Sequence, residues 1–82
     1  MSLPEVAVYT RPGCHLCEVL LESLVPLVRG RARLELRDVD TEPRWRDEFG
    51  SRVPVVAVDG LVVCEHVLDE AALERSLAPR PE

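Results

Sequence analysis

Glu5 to Tyr9 (Glu-Val-Ala-Val-Tyr) is a short apolar run of β-favouring residues, and Arg11-Pro12-Gly13 breaks it. This pattern predicts a strand followed by a tight turn. From Cys14 or His15 onward, the apolar positions Leu16, Val19, Leu20, Leu24, Leu27 and Val28 recur at helical spacing, and Gly30 stands where a C-terminal cap belongs. Pro26 inside this helix has no N–H to donate and crowds the preceding turn. The regular part should therefore kink or end near Leu24, since a straight helix would cost about 3 kcal/mol there.

Arg31 to Arg37 alternates, with Ala32, Leu34 and Leu36 on one side and arginine or glutamate on the other, as in a half-buried strand at a sheet edge. Asp40 and Thr41 are candidate N-caps for a short helix with Pro43 in its first turn. Trp45 and Phe49 fall on one face of that helix at i,i+4, and Gly50 is its expected stop. Val53-Pro54 leads into Val55–Val58, then Asp59-Gly60, then Leu61–Cys64. A two-residue Asp-Gly step between apolar runs predicts an antiparallel hairpin. Asp69 can cap a last helix that buries Leu68, Ala72, Leu73 and Leu77, with residues 78–82 fraying. The order β-α-β-α-β-β-α predicts an α/β fold, a four-stranded mixed sheet with helices on both faces, as a single domain over residues 1–82.

Composition narrows the partners. The 82 residues are 46% hydrophobic and 30% charged, which fits an ordinary folded domain. A net charge of -5, with no basic stripe interleaved with aromatics, argues against nucleic acid. All ten cationic residues are arginine, a coding bias without functional weight. No apolar run approaches the roughly 20 residues that span a bilayer, and Met1 to Glu5 does not resemble a secretory signal. The expectation is a cytoplasmic protein with no membrane partner. In that reducing setting, cysteines at 14, 17 and 64 read as thiol chemistry or metal ligation rather than as a disulfide framework.

Cys14-His15-Leu16-Cys17 falls immediately after the first strand and turn, at the start of the first helix. Free N–H groups and the positive end of the helix dipole favour a thiolate there, which nominates Cys14 as nucleophile. Arg11 and a protonated His15 would act in the same direction. Spacing of three puts Cys17 on the same side, where it can resolve a mixed disulfide formed at Cys14. Metal ligation is the competing reading, with Cys64 and His66 as candidates to complete a four-ligand set. Copper carriers of similar start end on a strand, whereas this chain is expected to end on a helix. Haem attachment would need histidine at position 18, which is Glu18.

The stretch Tyr9-Thr10-Arg11-Pro12-Gly13-Cys14-His15-Leu16-Cys17, together with Val39-Asp40, Val53-Pro54 and Asp59-Gly60, resembles the glutaredoxin-like branch of the thioredoxin superfamily. It is most similar to short bacterial proteins with a Cys-His-Leu-Cys site. The resemblance implies a thioredoxin-like fold of glutaredoxin type and dithiol-disulfide exchange by Cys14 and Cys17. It implies a cis Val53-Pro54 bond beside them; without it, Pro54 reads as a strand-start residue. It also implies that the backbone of Val53 pairs with the bound substrate as an added strand. The implied partners are a disulfide-containing protein or small molecule, with glutathione or a reductase as electron donor and no bound cofactor.

One departure from the pattern bears on the donor. Glutathione-using relatives carry a Gly-Gly pair after the last strand, where this chain has Cys64-Glu65-His66-Val67. Side chains there should hinder close backbone approach, which counts against glutathione. Arg11, with Arg52 as a second choice, is the candidate for pairing with a substrate carboxylate. Cys64 is either a third thiol at the active end or a small apolar residue finishing an edge strand. A redox-inert adaptor that binds partners through the Val53-Pro54 groove is a further alternative.

Overall fold

The computed structural model describes residues 3–78. Strand β1 (Glu5–Thr10) is central, and helix α1 (His15–Val28) carries the chain back to strand β2 (Arg33–Asp38), which pairs parallel to β1. A single 3-10 turn, Val39–Thr41, leads to helix α2 (Pro43–Phe49). Strands β3 (Val55–Val58) and β4 (Leu61–Glu65) form the hairpin, and helix α3 (Glu70–Leu77) follows. The sheet order is β2-β1-β3-β4, with β3 antiparallel to both β1 and β4. No helix among the described residues is long and apolar enough to cross a membrane.

Alternation along β1 and β3 divides the core in two, because successive side chains point to opposite faces. Val6, Val8, Val56 and Val58 meet Leu20, Leu24 and Val28 of α1 and Leu73 of α3. On the other face, Ala7, Tyr9, Val55 and Ala57 meet Val39 and Phe49. Tyr9, Trp45 and Phe49 pack ring to ring, and the guanidinium of Arg37 lies over Tyr9 and Trp45 while donating to the Tyr9 hydroxyl. The aromatic pair expected on the second helix is thus one wall of this smaller core. Asp59 and Gly60 both take positive φ in the hairpin turn, and Asp69 Oδ1 accepts from the Ala72 N–H at the start of α3, both as the sequence predicts.

Three local expectations are corrected. The first helix does not stop near Leu24 but runs through Pro26 to Val28, where Gly30 at φ +77° ends it. Pro26 is exposed, so the carbonyl it leaves unbonded lies on the wet side, while buried Leu24 and Val28 hold the helix to the sheet. Leu34 and Leu36 sit beside Val6 and Val8 in the ladder, yet both are exposed because they lie beyond the reach of the helices covering the sheet centre. Glu42, rather than Asp40 or Thr41, caps α2 by accepting from the Arg44 N–H, and Asp38 caps the preceding 3-10 turn. Gly50 does end α2, but in right-handed geometry. Of the expected frayed end, Ala78 is tied to Glu74 by its N–H, and residues 79–82 lie outside the described residues.

Candidate active site

Arg11 to Gly13 reverses the chain between β1 and α1, with Gly13 at φ +77° and the Cys14 N–H donating to the Arg11 carbonyl at 3.2 Å. Only a residue without a side chain adopts that backbone without strain. Cys14 is therefore delivered as the N-cap of α1, in extended geometry, and its Sγ accepts from the Cys17 N–H at 3.2 Å. Sulfur occupies the place normally taken by a capping oxygen, and a thiolate accepts such a bond better than a thiol. Cys17 lies one turn along, 5.2 Å away between Cα atoms, and the two Sγ atoms are in disulfide contact. Cys14 is half-buried while Cys17 is only 3% exposed, so Cys14 is the more accessible of the two. Both line an open cavity of about 240 Å³ with Thr10, Gly13, Glu18 and Asp38. His15 is exposed, its Nδ1 3.9 Å from Glu18 Oε2.

The Val53-Pro54 bond is cis, as the resemblance implies. Pro54 is fully buried, and Val53 packs half-buried on the second core. Tyr9 pairs with Val55, so the next step of the antiparallel register sets Pro54 at the end of β1 from which the Cys14 turn departs. The Pro54 carbonyl accepts from the His66 N–H at 2.7 Å, bringing the end of β4 to the same edge. Three segments distant in sequence thus converge at one end of the sheet. His66 takes φ +69°, where a side chain is strained, so the backbone keeps a glycine-like form with histidine in it. Glu65 beside it is held by Arg52, whose Nε donates to Glu65 Oε2 at 2.8 Å and whose Nη2 lies 2.7 Å from the same oxygen in an ion pair. Sequence reasoning saw only that glycines were missing here; the bond to Pro54 had no signal along the chain.

Arg11 reaches across to Asp40, donating from Nε at 3.0 Å and Nη2 at 3.2 Å, and from Nη1 to the Gly50 carbonyl at 3.0 Å. These bonds clasp the cysteine turn to the 3-10 turn and the end of α2. The hydrogen bond and charge of Arg11 hold the Asp40 carboxyl below the usual aspartate range. Gly50 permits the close approach, since a Cβ there would sit 2.5 Å from the Arg46 carbonyl oxygen and 3.3 Å from Arg11 Nη2.

Cys64 lies opposite Val56, half-buried against the first core. Burial pushes its thiol pKa up, partly offset by a hydrogen bond with the Asp69 backbone. That is the setting of a small apolar residue more than of a reactive thiol. Among the described residues, no three histidine, cysteine, aspartate or glutamate side chains are grouped as metal ligands, so Cys14, Cys17, Cys64 and His66 do not form the four-ligand set considered from sequence. Leu16 and Val19, two of the apolar positions at helical spacing, are exposed beside the site. The signal was present: apolar positions on α1 cover more of the helix than one stripe.

Residues 5–78 match the family described as glutaredoxin-like domain (DUF836). The chain is 35% identical over 72 residues to the glutaredoxin-like protein YDR286C homolog of Dictyostelium discoideum, covering 79% of this chain and 67% of that protein. It is 33% identical over 85 aligned positions to the uncharacterized protein Rv0508 of Mycobacterium tuberculosis, covering 95% of this chain and 87% of that one. Among solved structures, protein Ne2328 of Nitrosomonas europaea superposes with a TM-score of 0.83 at 28% identity, over 95% of both chains. A mutant thioredoxin of Halobacterium salinarum superposes at 0.67 with 27% identity, over 98% of this chain and 80% of that one. With its mixed sheet, its cysteine pair at the start of α1 and its cis-proline at the same sheet end, this chain belongs to the glutaredoxin-like family of the thioredoxin superfamily.

Proposed function

We propose that the protein is a thiol-disulfide oxidoreductase in which Cys14 attacks and Cys17 resolves. The observation that carries this reading is the asymmetry of the pair: a half-exposed N-cap sulfur that accepts a backbone N–H, with a nearly inaccessible sulfur in contact behind it. In the reduced form, the Cys14 thiolate attacks one sulfur of a substrate disulfide, and the other sulfur leaves as a thiolate and takes a proton. Cys17 then attacks Cys14 Sγ, which releases the second substrate thiol. The substrate gains two electrons and two protons, and the protein is left with the 14–17 disulfide. An external thiol donor, either glutathione or a flavoprotein reductase, reverses that oxidation.

The substrate class is a disulfide-containing protein or small molecule in the cytoplasm, with the Val53 backbone ahead of cis-Pro54 as its strand-like docking edge. Arg11 is engaged by Asp40 and Gly50, so a substrate carboxylate would compete with Asp40 for it; its first role here is to position the cysteine turn. Glu65 and His66 in place of a glycine pair favour a reductase over glutathione as donor. The test is turnover of a disulfide coupled in parallel to glutathione with its reductase and to thioredoxin reductase. We expect turnover in at least one couple, its loss in Cys14→Ser, and a trapped mixed disulfide in Cys17→Ser. Full activity of Cys14→Ser, or no 14–17 bond by mass spectrometry after mild oxidation, would overturn the assignment.

A further inference from the structure

A second cavity, about 180 Å³, opens between α1 and the junction of β4 with α3. It is of the order of the roughly 150 Å³ apolar cavity that admits benzene, so it has room for one aliphatic side chain. Its walls are Leu16, Val19 and Leu20 on one side and Val67, Leu68 and Glu70 on the other. Leu16, Val19 and Val67 are 48%, 45% and 68% exposed. Aliphatic side chains left this open in one contiguous patch mark a surface that something else covers. Leu16 stands between the two cysteines in sequence, so the groove begins at the redox pair. From Leu16 to Ser23 it follows α1 for two turns, about 10 Å, the length of about three residues of extended chain.

Glu70 is the one carboxylate among the described lining residues, and His66 is the other titratable side chain there. Glu70 lines the groove from the first turn of α3, and Glu22 is exposed on α1 three residues beyond Val19, whereas Glu18 lines the cysteine cavity on another side of the helix. No lysine or arginine occurs in α1. Among the described residues, neither Glu22 nor Glu70 is in an ion pair with an arginine, whereas Arg11, Arg31, Arg37, Arg46 and Arg52 are all bound to carboxylates elsewhere. An apolar slot with unneutralised acidic edges complements an apolar side chain with a cationic neighbour and repels an anionic one. We infer that this groove selects disulfide-bearing polypeptide segments that place an aliphatic side chain next to a basic one, beside the half-cystine that Cys14 attacks. The inference rests on the exchange activity proposed above and names its substrate class; it also predicts poor use of the doubly acidic glutathione.

The test uses symmetric disulfides of three nonapeptides that share a central cysteine and differ at its flank, Leu-Arg, Ser-Arg or Leu-Glu, with hydroxyethyl disulfide as a substrate too small to fill the groove. We expect wild-type kcat/KM to favour Leu-Arg over Ser-Arg by roughly tenfold and over Leu-Glu by roughly fivefold, with the second preference fading as salt is raised. Val19→Ser should remove the first preference and Glu70→Arg reverse the second, with hydroxyethyl disulfide turnover unchanged in both. Equal turnover of the three peptides by the wild type, or a matching fall on hydroxyethyl disulfide in the variants, would overturn the inference. A redox-independent arm titrates the Leu-Arg peptide, with alanine for its cysteine, into the reduced protein and follows backbone amide resonances. Shifts clustered at Leu16, Val19, Val67 and Glu70 support the groove, and their absence rejects it. If no disulfide is turned over at all, the proposed activity fails and this titration still decides the groove.

Discussion

Cys14 and Cys64 show how position, rather than residue type, sets the chemistry of a thiol. The first caps a helix, with a backbone N–H aimed at its sulfur, while the second is packed against valines and leucines with its pKa pushed up. In the reduced protein near neutral pH, Cys14 should be alkylated by iodoacetamide faster than Cys64, and the gap should narrow as pH rises into the thiol range; peptide mass mapping of timed quenches reads both rates. Asp40 gives a pH dependence of the opposite kind. Its carboxyl is held below the ordinary aspartate value by the hydrogen bond and charge of Arg11. Its contribution to stability is complete above the unfolded-chain pKa and is lost as pH falls through the lower folded value. Thermal melts across the acid range should therefore show a shallower acid limb for Asp40→Asn than for wild type. An identical limb would show that the clasp does not matter to folding.

At the scale of elements, α1 carries the greatest demands. It presents the dithiol at one end, buries Leu20, Leu24 and Val28 along one side, and leaves Leu16 and Val19 uncovered on another. The proline in its last turn is tolerated because it faces solvent and because core contacts on either side hold the axis. Replacing Pro26 with alanine restores a donor toward the Glu22 carbonyl, a gain that the larger entropy of the unfolded chain partly offsets. Urea denaturation should show Pro26→Ala more stable by about 1–2 kcal/mol. A loss of stability would mean that the ring itself packs usefully. For β2, alternation alone identified an edge strand, but not that its leucines would stay outside. Burial there depends on how far α1 and α3 extend across the sheet, which no local pattern encodes.

Across the whole molecule, a sheet of four strands divides a small chain into two thin cores, each dependent on a few large side chains. Leu24 and Leu73 are the largest fully buried residues, and both press on the same face of β1 and β3. Leu24→Ala should cost about 2–5 kcal/mol, a large share of the stability of a domain this small. Chemical denaturation with an unchanged m-value would confirm a cavity effect, whereas a cost below about 1 kcal/mol would show that the two layers can close around it. The same loss would loosen the cysteine site, because α1 holds Cys14 and Leu24 on one rigid rod.

The element order, the hairpin turn, the caps at Gly30 and Asp69, and the dithiol at a helix start are all legible along the chain. Each depends on a local rule: apolar period, a backbone angle only glycine takes easily, or an oxygen or sulfur placed to meet free N–H groups. The cis state of Val53-Pro54 was legible only through resemblance, since its local pattern also fits an ordinary strand start. Tertiary structure alone decided what depends on distant segments meeting. Arg11 finds Asp40 and Gly50 across 29 and 39 residues, and His66 bonds Pro54 from the next strand. Leu16 and Val19 face a groove because the junction after β4 stands off from α1. These contacts are set by sheet register and by how far each helix reaches, and neither quantity is written in any stretch of the chain short enough to be read alone.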